Sequence, residues 1–242
     1  MVEKVDKEEN LVSHLVELRS RSLRSFCAMI ICFFSLVYWA PDIYTIFASP
    51  LISVLPIGVN MIAIDVAAPF FVPIKITMFL SFLITLPYVL WQIWSFVAPG
   101  LYESEKKLAI PIVLSSFLLF VLGMVFAYFV VFPAVFGFVS SYTPTDVEMS
   151  TDIDKYFNFC LSLFIIFGLS FETPVVQMLL IKLEIITVEQ MIKFRPYFIV
   201  GSFVVAAIVT PPDVISQLML AVPLCLLFQL GIWLSKITTK EI

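Results

Sequence analysis

The sequence predicts an all-α integral membrane protein with six transmembrane helices. Of its 242 residues, 61% are hydrophobic and 13% are charged, whereas soluble domains average about 45–50% and about 25%. The chain also carries 25 Phe, and its mean hydropathy is +1.07. Only lipid can cover so much apolar surface, so the composition excludes a water-soluble globule.

Six apolar runs are the predicted spans, and they cover residues 25–40, 76–98, 108–139, 156–181, 197–209 and 214–234. The longest stretch between two runs, residues 41–75, leaves no room for a soluble catalytic domain. We therefore expect residues 1–242 to form one membrane domain. Residues 1–24 are a charged, amphipathic N-terminal segment, so no cleavable signal peptide is expected.

The distribution of lysine and arginine predicts the orientation. One set of loops and both termini hold most of these residues: Lys4, Lys7, Arg19, Arg21, Arg24, Lys106, Lys107, Lys182, Lys193, Arg195, Lys236 and Lys240. The opposite loops are acidic, with only Lys75 and Lys155 at their edges. The positive-inside rule then places both termini in the cytoplasm.

The lengths of two runs predict an uneven bundle. At about 1.5 Å per residue, the run at 197–209 reaches only about 20 Å, against about 30 Å of hydrocarbon. Helices five and six should therefore form a short hairpin. The run at 108–139 reaches about 48 Å, so it should project from the bilayer or bend near Pro133. Unequal helices give a concave wall, which suits a partner helix better than a solute.

The composition also excludes several functional classes. A net charge of −4 provides no basic surface for nucleic acid. His14 is the only histidine and lies outside the runs, which excludes an intramembrane Ser–His dyad and the H-E-x-x-H zinc motif. No catalytic residue, metal site or cofactor is predicted, and we do not expect an enzyme.

The first polar cluster lies on a predicted helix that leads into the first span. Leu11, Leu15 and Leu18 share one face at helical spacing, and Glu17 and Arg21 lie on the polar face. The simplest interpretation is a helix ion pair worth about 0.3–0.5 kcal/mol. The alternative is that Glu17 binds a cationic ligand.

The second cluster is the turn at residues 99–107, between the second and third spans. Glu103 and Lys107 are four residues apart, so an ordinary surface pair is again the simplest interpretation. However, Glu17 and Glu105 lie on the same predicted membrane face, each next to apolar residues. Two separated carboxylates suit a ligand with two guanidinium groups, because a carboxylate can bind each planar group bidentately.

Several polar residues lie within the spans. A carboxylate at Glu172 costs at least about 2.5–3 kcal/mol in hydrocarbon, so it should face protein, water or a partner, or be protonated. Pro174 predicts a kink with a polar notch there. Asp213 is either an N-cap of the sixth helix or a binding residue, and Gln217 lies on the same face. Three further amides are interpreted as internal hydrogen-bonding groups: Gln92, Gln177 and Gln229.

In these residues the chain resembles the TatC family, the core receptor of the twin-arginine protein translocase. The resemblance covers essentially the whole length. It depends on the order of five motifs, at residues 14–19, 96–102, 105–107, 171–174 and 210–217. It implies a non-enzymatic, multi-pass protein of the bacterial inner membrane. Such proteins export folded proteins with the proton-motive force and self-associate in a multimeric receptor complex.

The resemblance also assigns residues to the site. Glu17 and Glu105 match the acids that bind the Arg-Arg pair of signal peptides. Their neighbours in the predicted patch are Arg19, Leu101, Tyr102 and Glu103, although the position of Glu103 is commonly basic or polar in the family. Glu172 matches a polar group on the concave membrane face. TatA-like and TatB-like single-span subunits are expected to dock near Thr210, Asp213 and Gln217.

Two other functions fit parts of the sequence. A proton-coupled secondary transporter would use Glu172 as its proton site, but the sequence shows no matched pair of broken helices. In a purely structural scaffold, charge changes at Glu17 or Glu105 would affect assembly alone.

Overall fold

The computed structural model describes residues 2–53, 60–97, 109–141, 150–210 and 214–239. Most of them are helical, in nine α-helices: α1 (Val2–Leu36), α2 (Ala40–Ser53), α3 (Ala68–Val97), α4 (Ala109–Phe126), α5 (Phe132–Ser141), α6 (Ile153–Phe171), α7 (Thr173–Lys182), α8 (Val188–Val209) and α9 (Val214–Thr239). A 3-10 turn joins α1 to α2, and a π-helical segment joins α4 to α5.

Six helical stretches are long and apolar enough to cross a membrane: Leu15–Ser49, Ala68–Phe96, Ile110–Phe138, Ile153–Lys182, Val188–Val209 and Val214–Ile237. This confirms the prediction of six spanning helices. The last two stretches have 22 and 24 residues, whereas the others have 29 to 35. Helices five and six are therefore the short ones, as the sequence predicts.

Helix α8 begins well before the apolar run that predicted it. The Thr187 hydroxyl accepts a hydrogen bond from Gln190 N at 3.3 Å, and Gln190 Oε1 accepts one from Thr187 N at 2.9 Å. This reciprocal capping box starts the helix at Val188. The 22 residues of α8 therefore span about 33 Å. The expected reach of about 20 Å holds only for the apolar part of the helix.

Prolines modify two of the long helices. The π-helical segment Ala127–Val131 lies just before Pro133. Because proline lacks an N–H and crowds the carbonyl four residues earlier, a wider turn lets the helix continue past it. The fourth span is interrupted near Pro174, where the sequence predicts a kink. There, α6 ends at Phe171 and α7 begins at Thr173, with Glu172 between them.

Two short strands, β1 (Asn60–Ile62) and β2 (Ser150–Asp152), pair in parallel. The sequence analysis missed them because three residues show no alternating pattern. Next to β2, Lys75 Nζ donates to Asp154 Oδ1 at 2.6 Å and to Asn158 Oδ1 at 3.0 Å. Asp154 thus neutralises Lys75, a basic residue at the edge of a predicted acidic loop.

The contacts divide the chain into two compact units. The first comprises residues 1–40 and 77–117, and the second comprises residues 41–76 and 118–242. Aromatic rings fill the core of the second unit. The Phe132 and Phe164 ring centroids are 5.2 Å apart, and those of Phe136 and Tyr156 are 5.3 Å apart. Helix packing thus buries part of the large phenylalanine content.

Two glycines allow α4 and α6 to approach closely in the second unit. A methyl group at Gly123 would overlap the Phe167 carbonyl, and one at Gly168 would lie 2.5–2.7 Å from the Phe120 ring. Small residues are what such close helix packing in membranes requires. At Gly137 of α5, by contrast, an added methyl would meet nothing within 4 Å.

Replacing Gly123 by alanine is expected to destabilise the chain by about 1–3 kcal/mol, since the added methyl overpacks the helix contact. This exceeds the gain in helix propensity, which is at most about 1 kcal/mol. Gly137→Ala is the matched control and should be neutral or stabilising. Thermal unfolding in detergent measures both variants. Equal melting temperatures would contradict this packing role of Gly123.

Candidate functional site

Within the first unit, Glu17 and Arg21 form an ion pair on α1. Arg21 Nε and Nη2 both donate to Glu17 Oε1, at 2.9 Å and 2.7 Å. The residues are four apart, so the helix places them on one face. The simpler interpretation of this cluster, an ordinary helix pair, is therefore observed. It also shows that a guanidinium group fits against this carboxylate.

Arg21 also reaches α3 in the same unit. Its Nη1 lies 3.4 Å from Gln92 Oε1, which is a long hydrogen bond. Gln92 is buried, whereas the side chains of Glu17 and Arg21 are 35% and 24% exposed. Both side chains are only partly exposed, and an ion pair that water can still reach is worth about 0.2–1 kcal/mol. A competing guanidinium group can therefore displace Arg21 at little cost.

An apolar groove lies next to this ion pair. We call it the α1–α3 groove; its volume is about 360 Å³. Its apolar walls include Leu18, Phe26, Met29, Phe82, Val89 and Phe96. Arg21 and Gln92 also line the groove and are hydrogen bonded to each other. A ligand that combines a cationic group with an apolar segment fits this arrangement.

Among the other members of the predicted patch, only Arg19 lies within the described residues. It is exposed on α1, two residues after Glu17. The remaining members lie outside the described residues: Leu101, Tyr102, Glu103 and Glu105. That Glu17 and Glu105 lie close together in one patch stays a prediction.

The predicted intramembrane polar residues lie in the second unit. Glu172 is partly exposed, and one of its carboxylate oxygens is buried. The Thr210 hydroxyl donates to the Ala206 carbonyl at 2.8 Å, so it completes the end of α8. Gln217 is partly exposed in the first turns of α9. Asp213 lies outside the described residues, and its N-cap role stays a prediction.

Similarity to known proteins identifies the family. The profile described as Sec-independent protein translocase protein (TatC) matches residues 13–223. The TatC protein of Azotobacter chroococcum mcd 1 is 52% identical over 228 residues, which cover 94% of this chain and 89% of that protein. The chain belongs to the TatC family. The TatC protein of Escherichia coli K12 is 49% identical over 232 residues, which cover 96% of this chain and 90% of that protein.

The fold agrees with TatC structures. A crystal structure of the twin-arginine translocase receptor TatC superposes with a TM-score of 0.84 at 40% identity, covering 93% of this chain and 99% of that one. A second TatC structure, described as in DDM, gives a TM-score of 0.83 at 39% identity, covering 92% and 99% of the two chains. The resemblance inferred from the motifs is therefore confirmed.

Membership of the TatC family makes the chain a component of the Sec-independent protein translocase. It is a multi-pass bacterial membrane protein and not an enzyme. This favours protein transport over the proton-coupled transporter that the sequence left open.

Two amides lie against grooves that the sequence does not predict. Gln92 is the internal hydrogen-bonding group that the sequence suggests, whereas Gln177 has no partner among the described residues, and each also lines a groove. The sequence feature that could have indicated these positions is a polar side chain within an apolar run. That feature does not show which neighbouring helix the side chain faces.

Proposed function

We propose that the chain is the signal-peptide receptor of the translocase. In this proposal, Glu17 and Glu105 bind the paired arginines in the leader of a folded cargo protein at the cytoplasmic face. The observation that carries the proposal is the partly exposed Glu17 carboxylate, which accepts two N–H donors from a guanidinium group beside an apolar groove.

Exchange of guanidinium groups is the proposed binding step. An arginine of the leader replaces Arg21 on Glu17, and the second arginine binds Glu105. Each charge-assisted contact contributes about 1.5–3 kcal/mol, and at Glu17 the loss of the Arg21 pair, about 0.2–1 kcal/mol, offsets part of it. Two such contacts provide less than the binding free energy of roughly 8 kcal/mol that corresponds to a micromolar Kd. The rest must come from apolar contacts, and we propose that the apolar stretch of the leader lies in the α1–α3 groove.

Titration of the full chain in lipid nanodiscs with a fluorescent twin-arginine leader peptide tests this function. We expect saturable binding that weakens as salt rises, because exposed charges are screened at higher ionic strength. A peptide of scrambled apolar sequence with the same arginines should bind more weakly. No saturable binding, or binding independent of salt, would contradict the receptor proposal.

The proposed assembly includes single-span partners. TatA-like and TatB-like subunits dock at Thr210, Asp213 and Gln217, with Glu172 as an intramembrane polar group. The partial exposure of Glu172 and Gln217 supports access to a partner helix. The chain self-associates in a multimeric receptor complex, and export uses the proton-motive force. The proposed location is the bacterial inner membrane, with both termini cytoplasmic, because the basic residues cluster in one set of loops.

A further inference from the structure

A second and larger groove lies in the second unit, between α7, the first half of α8, and α9. We call it the α7–α9 groove; its volume is about 650 Å³. Its apolar walls include Leu180, Ile186, Met191, Phe194, Phe198 and Phe228. The groove lies toward the end of α7 and the beginning of α8, away from Thr210 and Gln217. It shares no lining residue with the α1–α3 groove and does not include Thr210 or Gln217, although its lining residue Thr173 follows Glu172.

Gln177 lines this groove, and its buried side-chain amide has no hydrogen bond within the described part of the chain. Gln177 is 2% exposed, and neither Oε1 nor Nε2 has a partner among the described residues. The amide fits because residue 231 is glycine, since a methyl group there would overlap Gln177 Oε1. An unpaired buried amide in a membrane domain is costly. A bound molecule with a hydrogen-bond acceptor would relieve that cost.

The elements around the groove carry more basic than acidic residues. Arg195 follows the lining residue Phe194, and its Nε is also buried without a partner in the described part of the chain. The exposed charged residues on these elements are Lys182, Lys193 and Lys236, with the acids Glu184 and Glu189. A further acid, Glu172, precedes the lining residue Thr173 and is partly exposed. Basic groups outnumber acids, so the charge favours an anionic group close to an apolar cleft.

The volume of the groove corresponds to only a short part of a transmembrane helix. A helix about 10 Å wide that rises about 1.5 Å per residue would fill 650 Å³ with only about five or six residues. A flexible chain follows such a short apolar cleft more readily. We propose that the α7–α9 groove binds one anionic phospholipid. An acyl chain contacts the apolar wall, the buried Gln177 side chain rotates so that Nε2 donates to an ester carbonyl, and Arg195 pairs with the phosphate.

Native mass spectrometry of the full chain, delipidated in detergent and titrated with phosphatidylglycerol, tests this proposal. We expect one lipid to bind more tightly than the rest. Gln177→Leu and Arg195→Gln should each raise the apparent Kd of that first lipid at least fivefold. Val176→Trp should have the same effect, because Val176 lines the groove and is 48% exposed, so a larger side chain fills the cleft without disturbing a core.

Gln229→Leu is the matched control, since Gln229 is exposed on α9 and does not line the groove. It should leave the apparent Kd of the first lipid unchanged. Equal values for Gln177→Leu and Gln229→Leu would overturn the site. Equal binding of phosphatidylethanolamine and phosphatidylglycerol would overturn its anionic preference. Crosslinks from Val176 to a single-span subunit instead of lipid would assign the groove to a protein. Melting temperatures of all variants identify any loss of folding.

Discussion

Replacing Glu17 by lysine is expected to abolish binding of a twin-arginine leader to the full chain. The substitution removes the carboxylate that accepts N–H donors from a guanidinium group. It also places a second cation one helical turn from Arg21, where like charges repel. Loss of one charge-assisted contact costs about 1.5–3 kcal/mol, so the Kd should rise at least about tenfold even without the repulsion. Fluorescence anisotropy in nanodiscs measures the change.

Glu189→Lys is the matched control, because Glu189 is also exposed and lies in the first turn of α8, outside the predicted patch. It makes the same charge change and should leave leader binding intact. Glu105→Lys should reproduce the loss seen at Glu17. All three variants should insert into membranes as the native chain does. Unchanged leader binding in Glu17→Lys would show that this carboxylate is not part of the receptor site.

Exchanging the two charges of the ion pair, by Glu17→Arg together with Arg21→Glu, is expected to preserve the fold but to remove most leader binding. The net charge stays at −4. The pair is kept at the same spacing, so the change in stability should be only a few tenths of a kcal/mol. The acid, however, moves by about one helical turn, or about 6 Å. A carboxylate displaced that far no longer meets the leader together with Glu105.

This exchange separates a binding role of Glu17 from a structural one. If Glu17 served only to pair with Arg21, the double variant would restore what Glu17→Arg alone destroys. We expect both variants to bind the leader at least about tenfold more weakly than the native chain, with similar melting temperatures. Full recovery of binding in the double variant would leave Glu17 as an ordinary helix ion pair.

The membrane fold was predictable because hydropathy reports it directly. Apolar runs located six spans, and the short run after Tyr197 identified the fifth helix as one of the two short ones. The beginning of α8 was missed, although the sequence carries the signal. Thr187 and Gln190 have the Thr-x-x-Gln spacing of a capping box, which starts a helix. The residues that follow are partly polar, so a search for apolar runs does not include them in the helix.

The sequence does not show which distant segments of the chain contact each other. The pairing of β1 with β2 joins residues far apart in the chain, and the ion pair of Lys75 with Asp154 does the same. The two grooves depend on which helices are neighbours, so Gln92 and Gln177 could be recognised as polar but not placed. The ion pair of Glu17 with Arg21 was predictable from their spacing of four residues, whereas the contact of Arg21 with Gln92 on another helix was not.

Direct contact between Glu17 and an arginine of the leader is the central claim, and a double-mutant cycle tests it most directly. The cycle consists of four affinities. The native chain and the Glu17→Gln variant are each titrated with a leader that carries Arg-Arg and with one that carries Gln-Gln in its place. We expect a coupling energy of about 1.5–3 kcal/mol, because either change removes the charge-assisted hydrogen bonds between Glu17 and the leader. Additive effects, with no coupling beyond about 0.5 kcal/mol, would contradict it.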